Sequence, residues 1–205
     1  MRFCAVFAFA AVAAALAAPA PSVASPFALQ DGPKVRIAAD REACSAQALT
    51  WCAPLVQGEA QLTARDVSAL QTRVLKNFHY VFKASAPWRS FYDVAFDNKA
   101  WKAHCGGLTF TMVDALVAAG QPTDKIWRAI VIPATRDPSA KAPPVLHMVA
   151  IAELEGQLYV VGDTNDLSVY PLSQANFVPT MVSQVSDGTR WTRTTAAAPT
   201  ILAAR

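Results

Sequence analysis

Cys105 has the surroundings that a nucleophilic thiol requires. It begins a predicted helix and is followed by Gly106 and Gly107. The unpaired N–H groups and the positive partial charge of a helix N-terminus lower the pKa of a thiol and favour the nucleophilic thiolate. The same N–H groups could hold the oxyanion that develops during acyl transfer. Cys105 is therefore predicted to be a nucleophile, with a buried and inert structural thiol as the alternative.

An imidazole and an acid that could assist this thiol lie on two predicted strands. His147 is at the start of LHMVAIAEL, and Asp163 ends the next strand, LYVVGD. With a three-residue loop at 154–156, Glu153 pairs with Gln157. In that register His147 lies directly opposite Asp163, with Cβ atoms about 5 Å apart, whereas a shift of one residue would turn them to opposite faces. Alternatively, His147 is a structural strand residue and Asp163 opens a turn in GDTND.

Three residues close to Cys105 are candidates for binding the substrate or the oxyanion. Trp101 could donate its indole N–H or wall the cleft, although plain packing explains it equally well. His104 is a better candidate for lining the cleft than for the general base, because it cannot easily share a side-chain direction with Cys105. Gly106 lets the backbone approach a ligand closely.

Metal and cofactor sites are not predicted. Zinc sites usually contain two pairs of closely spaced ligands, and the Cys and His residues of this chain form no such pattern. The segment DTND lacks the Gly and the terminal Glu of a calcium loop, and no Gly-rich phosphate motif is present. We therefore expect no metal and no cofactor.

Two helices are predicted to frame the candidate residues. Apolar positions three and four residues apart predict a first helix that begins near Thr63, with a capping box at Thr63 and Asp66, and ends before Pro87. The second helix runs over about residues 105–119, with a glycine in the left-handed position after it. The aromatic segment 87–104 between them is predicted to be a loop.

Strand signals follow the second helix. They cover residues 126–133, 145–154 and 157–162, with Glu155-Gly156 as a hairpin turn signal. The final stretch, from Phe177 to Trp191, predicts one or two further strands.

Composition limits the class of protein. The 205 residues are 53% hydrophobic and 9% aromatic, which supports a packed core and excludes a disordered or collagen-like chain. The formal net charge is only +3, and Lys and Arg form no block. The electrostatic signature of a nucleic-acid-binding protein is therefore absent.

Residues 1–24 have the layout of a secretory signal peptide. Arg2 precedes an apolar, Ala-rich run, and small residues end the segment at Ala24. A membrane anchor is the alternative, because the apolar run is close to the minimum length for a span. We expect cleavage after Ala24 and a periplasmic or secreted protein with no stable membrane span.

The cysteines of the exported chain support a division into segments. Cys44 and Cys52 bracket a short segment and are predicted to form a disulfide, since an oxidising compartment favours pairing, whereas Cys105 is predicted to stay free. Residues 25–62 are then an irregular N-terminal arm stapled by this bridge. Residues 63–194 form the main domain, and 195–205 form a flexible tail.

A Cys at a helix start, then a His on a strand and an Asp on the next strand, is the chain order of transglutaminase-like, papain-related cysteine enzymes. Within that group, residues 63–192 resemble the bacterial transglutaminase-like cysteine proteinases. The resemblance implies a papain-like, transglutaminase-like α+β fold, in which the Cys-bearing helix packs on an antiparallel sheet. It makes Cys105, His147 and Asp163 the nucleophile, general base and orienting acid. The similar segments are VLKNFHYVFK (74–83), HCGGLTFTMVDALVAAGQP (104–122), IWRAIVIP (126–133), LHMVAIAELEGQLYVVGDTND (146–166) and Trp191.

The segment around the candidate nucleophile departs from that family's pattern. Members that clip surface adhesins bind calcium through acidic residues beside the Cys, where this chain has Ala103-His104 and Gly106-Gly107. We therefore predict no calcium requirement. The predicted function is an exported cysteine hydrolase that cleaves a peptide or amide bond of a protein or peptide in the cell envelope, or passes the acyl group to an amine. The alternative is an inactive transglutaminase-like binding protein of the cell envelope.

Overall fold

The structure, a computed structural model, describes residues 26–27, 61–82, 88–134 and 146–195. The predicted signal peptide and the predicted Cys44–Cys52 disulfide lie outside these residues, as do most of the N-terminal arm and the tail after residue 195. Within the described ranges, no helix is both long enough and apolar enough to cross a membrane.

The three helices lie in the first part of the described chain, and most of the strands follow them. The helices are α1 (Ala64–Leu75), α2 (Tyr92–Phe96) and α3 (Cys105–Ala118). The strands are β1 (Phe78–Tyr80), β2 (Trp101–Ala103), β3 (Ile126–Pro133), β4 (His147–Leu154), β5 (Gln157–Val161), β6 (Tyr170–Pro171), β7 (Phe177–Gln184) and β8 (Thr192–Arg193). Short 3₁₀ helices occupy Thr123–Lys125, Leu172–Gln174 and Val185–Asp187.

Six of these strands form one antiparallel sheet in the order β6-β5-β4-β3-β7-β8, whereas β1 and β2 form a separate parallel pair. Helix α3 packs on one face of the sheet, where Met148 and Ala150 of β4 share a buried cluster with Leu108 and Met112 of α3. The other face carries a second apolar cluster around Trp127. This is the expected α+β fold, with the Cys-bearing helix on an antiparallel sheet.

Helix α3 is buried along most of its length and ends where the sequence predicts. Gly120 has φ 88°, the left-handed conformation that glycine adopts without a steric penalty. Its N–H donates to the Val117 carbonyl at 2.9 Å, and the Gln121 N–H donates to the Leu116 carbonyl at 3.0 Å. These two bonds form a Schellman motif, which closes the helix and fixes its far end against the core.

Helix α1 begins as predicted and ends earlier than predicted. The Thr63 hydroxyl accepts from the Asp66 N–H at 3.2 Å, and the Asp66 carboxylate accepts from the Thr63 N–H at 2.9 Å, which is a capping box. The predicted continuation through Phe78 is wrong, because Phe78 begins β1 and its ring packs 4.7 Å from that of Trp101 on β2. Tertiary pairing therefore overrides the helical spacing of the apolar residues.

The predicted aromatic loop 87–104 is also wrong in part, because it contains α2 and β2. The Trp101 N–H donates to the Asn77 carbonyl at 3.1 Å and starts the parallel pairing of β2 with β1. Strand β2 ends at Ala103, immediately before the N-cap of α3. The segment therefore fixes the entry to the Cys-bearing helix.

Strands β4 and β5 are joined by a tighter turn than the sequence predicts. Leu154 pairs with Gln157, so the loop consists of Glu155 (φ 51°) and Gly156 (φ 78°) alone. Positive φ at both positions defines a type I′ turn, whose twist suits an antiparallel pair. The predicted three-residue loop is wrong, and every cross-strand partner is shifted by one residue.

Candidate active site

Cys105 is the first residue of α3, partly buried and with a free thiol. The residue before it, His104, is the N-cap of the helix. The Nδ1 atom of His104 accepts from the backbone N–H of Gly106 at 3.0 Å and from that of Gly107 at 3.4 Å. The imidazole therefore caps the helix, a role that Ser, Thr, Asp or Asn usually has at a helix N-terminus.

This capping role fixes the chemistry of the His104 ring. Because Nδ1 accepts from amide N–H groups, the neutral ring carries its proton on Nε2. The ring is buried, lies 4.2 Å from the Trp88 ring centre, and its side chain hydrogen-bonds with that of Cys105. His104 therefore contacts the thiol directly, as well as capping the helix that carries it.

The structure places two predicted oxyanion candidates in other roles. The Trp101 indole N–H donates to the Val74 carbonyl at 3.2 Å, and the side chain is only 3% exposed, so Trp101 is a core residue that ties β2 to α1. The Gly106 N–H is bound to His104 rather than directed into the cleft. A Cβ atom at Gly106 would overlap the Trp88 ring, which explains the glycine by close packing.

His147 and Asp163 meet in the structure, although not through the predicted register. The Nε2 atom of His147 lies 2.9 Å from Oδ1 of Asp163. In a regular ladder with Leu154 opposite Gln157, the two residues would lie on opposite faces. Strand β5 ends before Asp163, and Gly162 has φ 70°, so the chain leaves the strand and redirects the carboxylate toward His147.

Asp163 has two further partners that the sequence does not indicate. The Tyr170 hydroxyl donates to Oδ2 at 2.6 Å, and the Asn165 N–H donates to Oδ1 at 2.8 Å. Both ends of the carboxylate are thus fixed, with His147 at Oδ1. Tyr170 lies on β6, a strand of two residues, which is too short for periodicity to reveal.

The pKa values of the thiol and the imidazole move in opposite directions. Burial raises the pKa of Cys105, but hydrogen bonds with His104 and His147, the charge of His147 and the Met148 backbone N–H outweigh it and lower this pKa to about 6. Burial lowers the pKa of His147, but hydrogen bonds with Asp163 and Cys105 and their negative charges outweigh it and raise this pKa to about 9. Between these values a thiolate faces an imidazolium.

The pKa values of Asp163 and of Tyr170, which donates to it, also move in opposite directions. Burial raises the pKa of Asp163, but hydrogen bonds from His147, Tyr170 and the Asn165 N–H outweigh it, so this pKa falls below its ordinary value. Burial, the hydrogen bond to Asp163 and nearby carboxylate charge raise the pKa of Tyr170. Asp163 is therefore an ionised acceptor and Tyr170 a protonated donor across the range in which the thiolate and imidazolium coexist.

Cys105 and His147 lie in a groove of about 760 Å³ that opens to solvent. Its apolar lining includes Tyr80, Phe82 and Leu146, which are 45%, 81% and 64% exposed. Much of its polar lining comes from the segment between β5 and β7, and includes Asp163, Thr164, Asn165, Asp166, Ser168, Tyr170, Gln174 and Asn176. The groove is large enough to hold several residues of an extended peptide.

The residues beside Cys105 do not fit a calcium ion. Calcium takes oxygen ligands, usually carboxylates among them, whereas these positions hold Ala103, His104, Gly106 and Gly107. The Nδ1 atom of His104 is already bound to amide N–H groups. Among the described residues, no group of three or more His, Cys, Asp or Glu side chains is arranged to hold a metal ion.

Comparison with known proteins gives a limited likeness. No protein-family model matches this chain, and no curated protein matches it. Among solved structures it is similar to Legionella pneumophila LapG, in a calcium-bound form, an EGTA-treated form and a further structure, with 16% identity and a TM-score of 0.42 in each case. The likeness covers 57% of this chain, which spans about 62% of the calcium-bound LapG chain and 61% of the other two. A likeness at this identity and TM-score assigns the chain to no family.

Proposed function

We propose that this protein is an exported cysteine hydrolase that cleaves a peptide or amide bond through Cys105, His147 and Asp163. The observation that carries the proposal is the His147 imidazole, which hydrogen-bonds Asp163 through Nε2 at 2.9 Å and also hydrogen-bonds the Cys105 thiol, in an open groove. Because Nε2 is bound to Asp163, Nδ1 is the ring atom that exchanges a proton with the Cys105 sulfur.

The first half of the reaction forms an acyl-enzyme. The Cys105 thiolate attacks the carbonyl carbon, a C–S bond forms, and the carbonyl π electrons move onto oxygen. We assign the backbone N–H of Cys105, at the first position of α3, to the resulting oxyanion. The oxyanion then collapses, the C–N bond breaks, and the His147 Nδ1–H gives its proton to the leaving nitrogen.

The second half releases the acyl group. His147, now neutral, takes a proton from water through Nδ1 as the water oxygen attacks the thioester carbon. The C–S bond breaks, a carboxylic acid leaves, and the thiolate–imidazolium pair is restored. An amine in place of water would yield a new amide with the same proton transfers, which is the transpeptidation variant. Asp163 keeps the imidazole in one tautomer and orientation throughout.

Export is part of the proposal and is supported by the sequence of residues 1–24. Their charged start, apolar run and small residues at the end are the features of a secretory signal peptide. The proposed location is the periplasm or the outside of the cell, and the proposed substrate is a protein or peptide of the cell envelope. Fractionation of cells that express the full chain, with N-terminal sequencing of the product, tests this part.

Alkylation kinetics test the thiol. At pH 6.5, a thiol of pKa about 6 is mostly ionised, and one near the free value of about 8.5 is ionised to about 1%. We expect His147→Ala to raise the Cys105 pKa and slow iodoacetamide labelling at pH 6.5 by roughly 5- to 10-fold, since the more basic thiolate is also more nucleophilic. Mass spectrometry of the Cys105 peptide separates the labelling of this thiol from that of any other cysteine.

Cleavage itself is measured with a mixed-sequence peptide library and mass spectrometry of the products. The wild-type protein is expected to generate new termini, and Cys105→Ala is the matched control that should generate none. If the wild type cleaves nothing and its Cys105 titrates near 8.5, the protein is instead the inactive binding protein. If His147→Ala leaves labelling unchanged, the assignment of His147 as the base is wrong.

A further inference from the structure

Gln71 is a buried polar residue of α1 that contacts the segment carrying Asp163. It is 2% exposed and lies on the buried face of α1 with Val67 and Val74. A neutral amide in such a place must find hydrogen-bond partners, because an unpaired polar group in the core is costly. Its partners are therefore informative about what the residue is for.

Both partners of Gln71 belong to the loop after β5. The Gly162 N–H donates to Oε1 at 2.7 Å, and Nε2 donates to the Leu167 carbonyl at 2.7 Å. Gly162 immediately precedes Asp163, and Leu167 closes the segment 163–166. One side-chain amide thus holds both ends of the loop that carries the candidate acid.

The peptide held at Gly162 is the point where the chain changes direction. Gly162 has φ 70°, and a Cβ atom there would lie 2.8 Å from Cγ of Met112 on α3. The backbone is therefore pressed against the Cys-bearing helix in a conformation that favours glycine. A bond to this N–H fixes the Val161–Gly162 peptide, at the point where the chain leaves β5 and turns toward Asp163, and so helps to set the direction of the carboxylate.

We propose that Gln71 is a positioning residue of the candidate site, which holds the Gly162 N–H and the Leu167 carbonyl so that the Asp163 carboxylate meets the His147 imidazole. This inference rests on the proposed function only in giving that carboxylate a catalytic purpose. Gln71 does not touch the groove, and it acts through the loop. Without its amide, the buried Gly162 N–H and the partly buried Leu167 carbonyl lose their partners, and the loop must move to satisfy them.

The test compares two buried glutamines. Gln71→Met removes both hydrogen bonds at nearly constant volume. Gln121→Met is the matched control, because Gln121 is also 2% exposed, donates to the Glu153 carbonyl at 2.9 Å and accepts from the Leu62 N–H at 3.4 Å. The melting temperatures of both variants are expected to fall by similar amounts. Of the two glutamines, Gln71 is the one that contacts the loop carrying Asp163.

The readout is the His147 ring, titrated by NMR, together with the pH profile of Cys105 alkylation. Gln71→Met is expected to lower the His147 pKa by at least one unit from about 9 and to move the alkylation limb upward from about 6, because the bond to Asp163 loosens. Gln121→Met is expected to leave both unchanged. An unchanged profile in Gln71→Met, or equal shifts in the two variants, overturns the inference.

A measurement on the wild type keeps the inference testable if Gln71→Met does not fold. The Gly162 amide lies beyond the β5 ladder, yet it should exchange with deuterium as slowly as the β5 amides, because its N–H is bound to buried Gln71. Fast exchange overturns the inference. Because the His147 titration needs no substrate, a protein that hydrolyses nothing but loses the His147–Asp163 contact in Gln71→Met refutes the proposed function and supports the positioning role.

Discussion

At the scale of single residues, the site depends on two imidazoles with different duties. His147 hydrogen-bonds both Asp163 and Cys105, and its pKa is raised. His104 caps α3 through Nδ1 and also hydrogen-bonds the same thiol. A helix cap and a thiol contact can be separated experimentally, because Asn caps a helix and cannot replace an imidazole at the sulfur.

Substitutions at His104 separate its role as helix cap from its contact with the Cys105 thiol. We expect His104→Asn to be more stable than His104→Ala by about 1 kcal/mol in urea unfolding, because Asn can cap the helix. Both variants should raise the Cys105 pKa in alkylation titrations, because both lose the hydrogen bond from the His104 side chain. Equal stability of the two variants would show that the cap contributes nothing, and an unchanged thiol pKa would remove His104 from the site.

At the scale of elements, glycines let backbone and aromatic groups approach closely around α3. Gly106 is in the first turn of α3 and leaves room for the Trp88 ring, which in turn packs on His104. Gly162 bends the chain after β5 and lies against Met112 of the same helix. The two glycines therefore set the position of the helix start and of the acid-bearing loop relative to each other.

Gly106→Ala tests the close approach of Trp88. Alanine in an open helical position would stabilise the helix by about 1 kcal/mol. Here the methyl group overlaps the Trp88 ring, so we expect a net loss of roughly 1–3 kcal/mol in the free energy of unfolding. In a Trp88→Ala background the same substitution should cost nothing or stabilise the protein. Additive effects in this double-mutant cycle would contradict the packing explanation.

At the scale of the whole molecule, the site is assembled from four parts of the fold. Helix α3 contributes the thiol, β4 the imidazole, the loop after β5 the acid and β6 the tyrosine that holds it. Helix α1 contacts the same loop through Gln71. In this arrangement the Cys105 thiol and the His147 imidazole hydrogen-bond each other, so the protonation state of each depends on that of the other.

The pH dependence of hydrolysis follows from this coupling. The reaction needs a thiolate, which forms as pH rises through about 6, and an imidazolium, which is lost as pH rises through about 9. We therefore expect a bell-shaped kcat/KM profile with limbs near these values. Asp163→Asn should lower the upper limb, because the loss of the carboxylate lowers the His147 pKa.

The pH profile of Cys105 alkylation is expected to differ from the bell-shaped profile of hydrolysis. Iodoacetamide needs only the thiolate, so its rate should rise through about 6 and stay level through pH 9. A single limb near 8.5 in both assays would show that Cys105 and His147 do not form an ion pair. A bell-shaped profile for alkylation as well would mean that the upper limb of the hydrolysis profile does not report on proton donation by His147.

Local sequence determines much of this protein. The capping box at Thr63, the closure of α3 at Gly120 and the strand Ile126–Pro133 all agree with prediction, because each follows from residues a few positions apart. The placement of Cys105 at a helix start is of the same kind. These features need no information about distant parts of the chain.

The assembly of the site depends on contacts between elements that are distant in the sequence. The two-residue turn at Glu155 shifts the hairpin register, and the bend at Gly162 brings Asp163 back to His147. Tyr170 lies on a two-residue strand that no periodicity reveals, and Gln71 lies 91 residues from Gly162, so the sequence indicates neither role. Sequence spacing specifies individual elements, whereas contacts between elements depend on how buried polar groups satisfy one another once the core has formed.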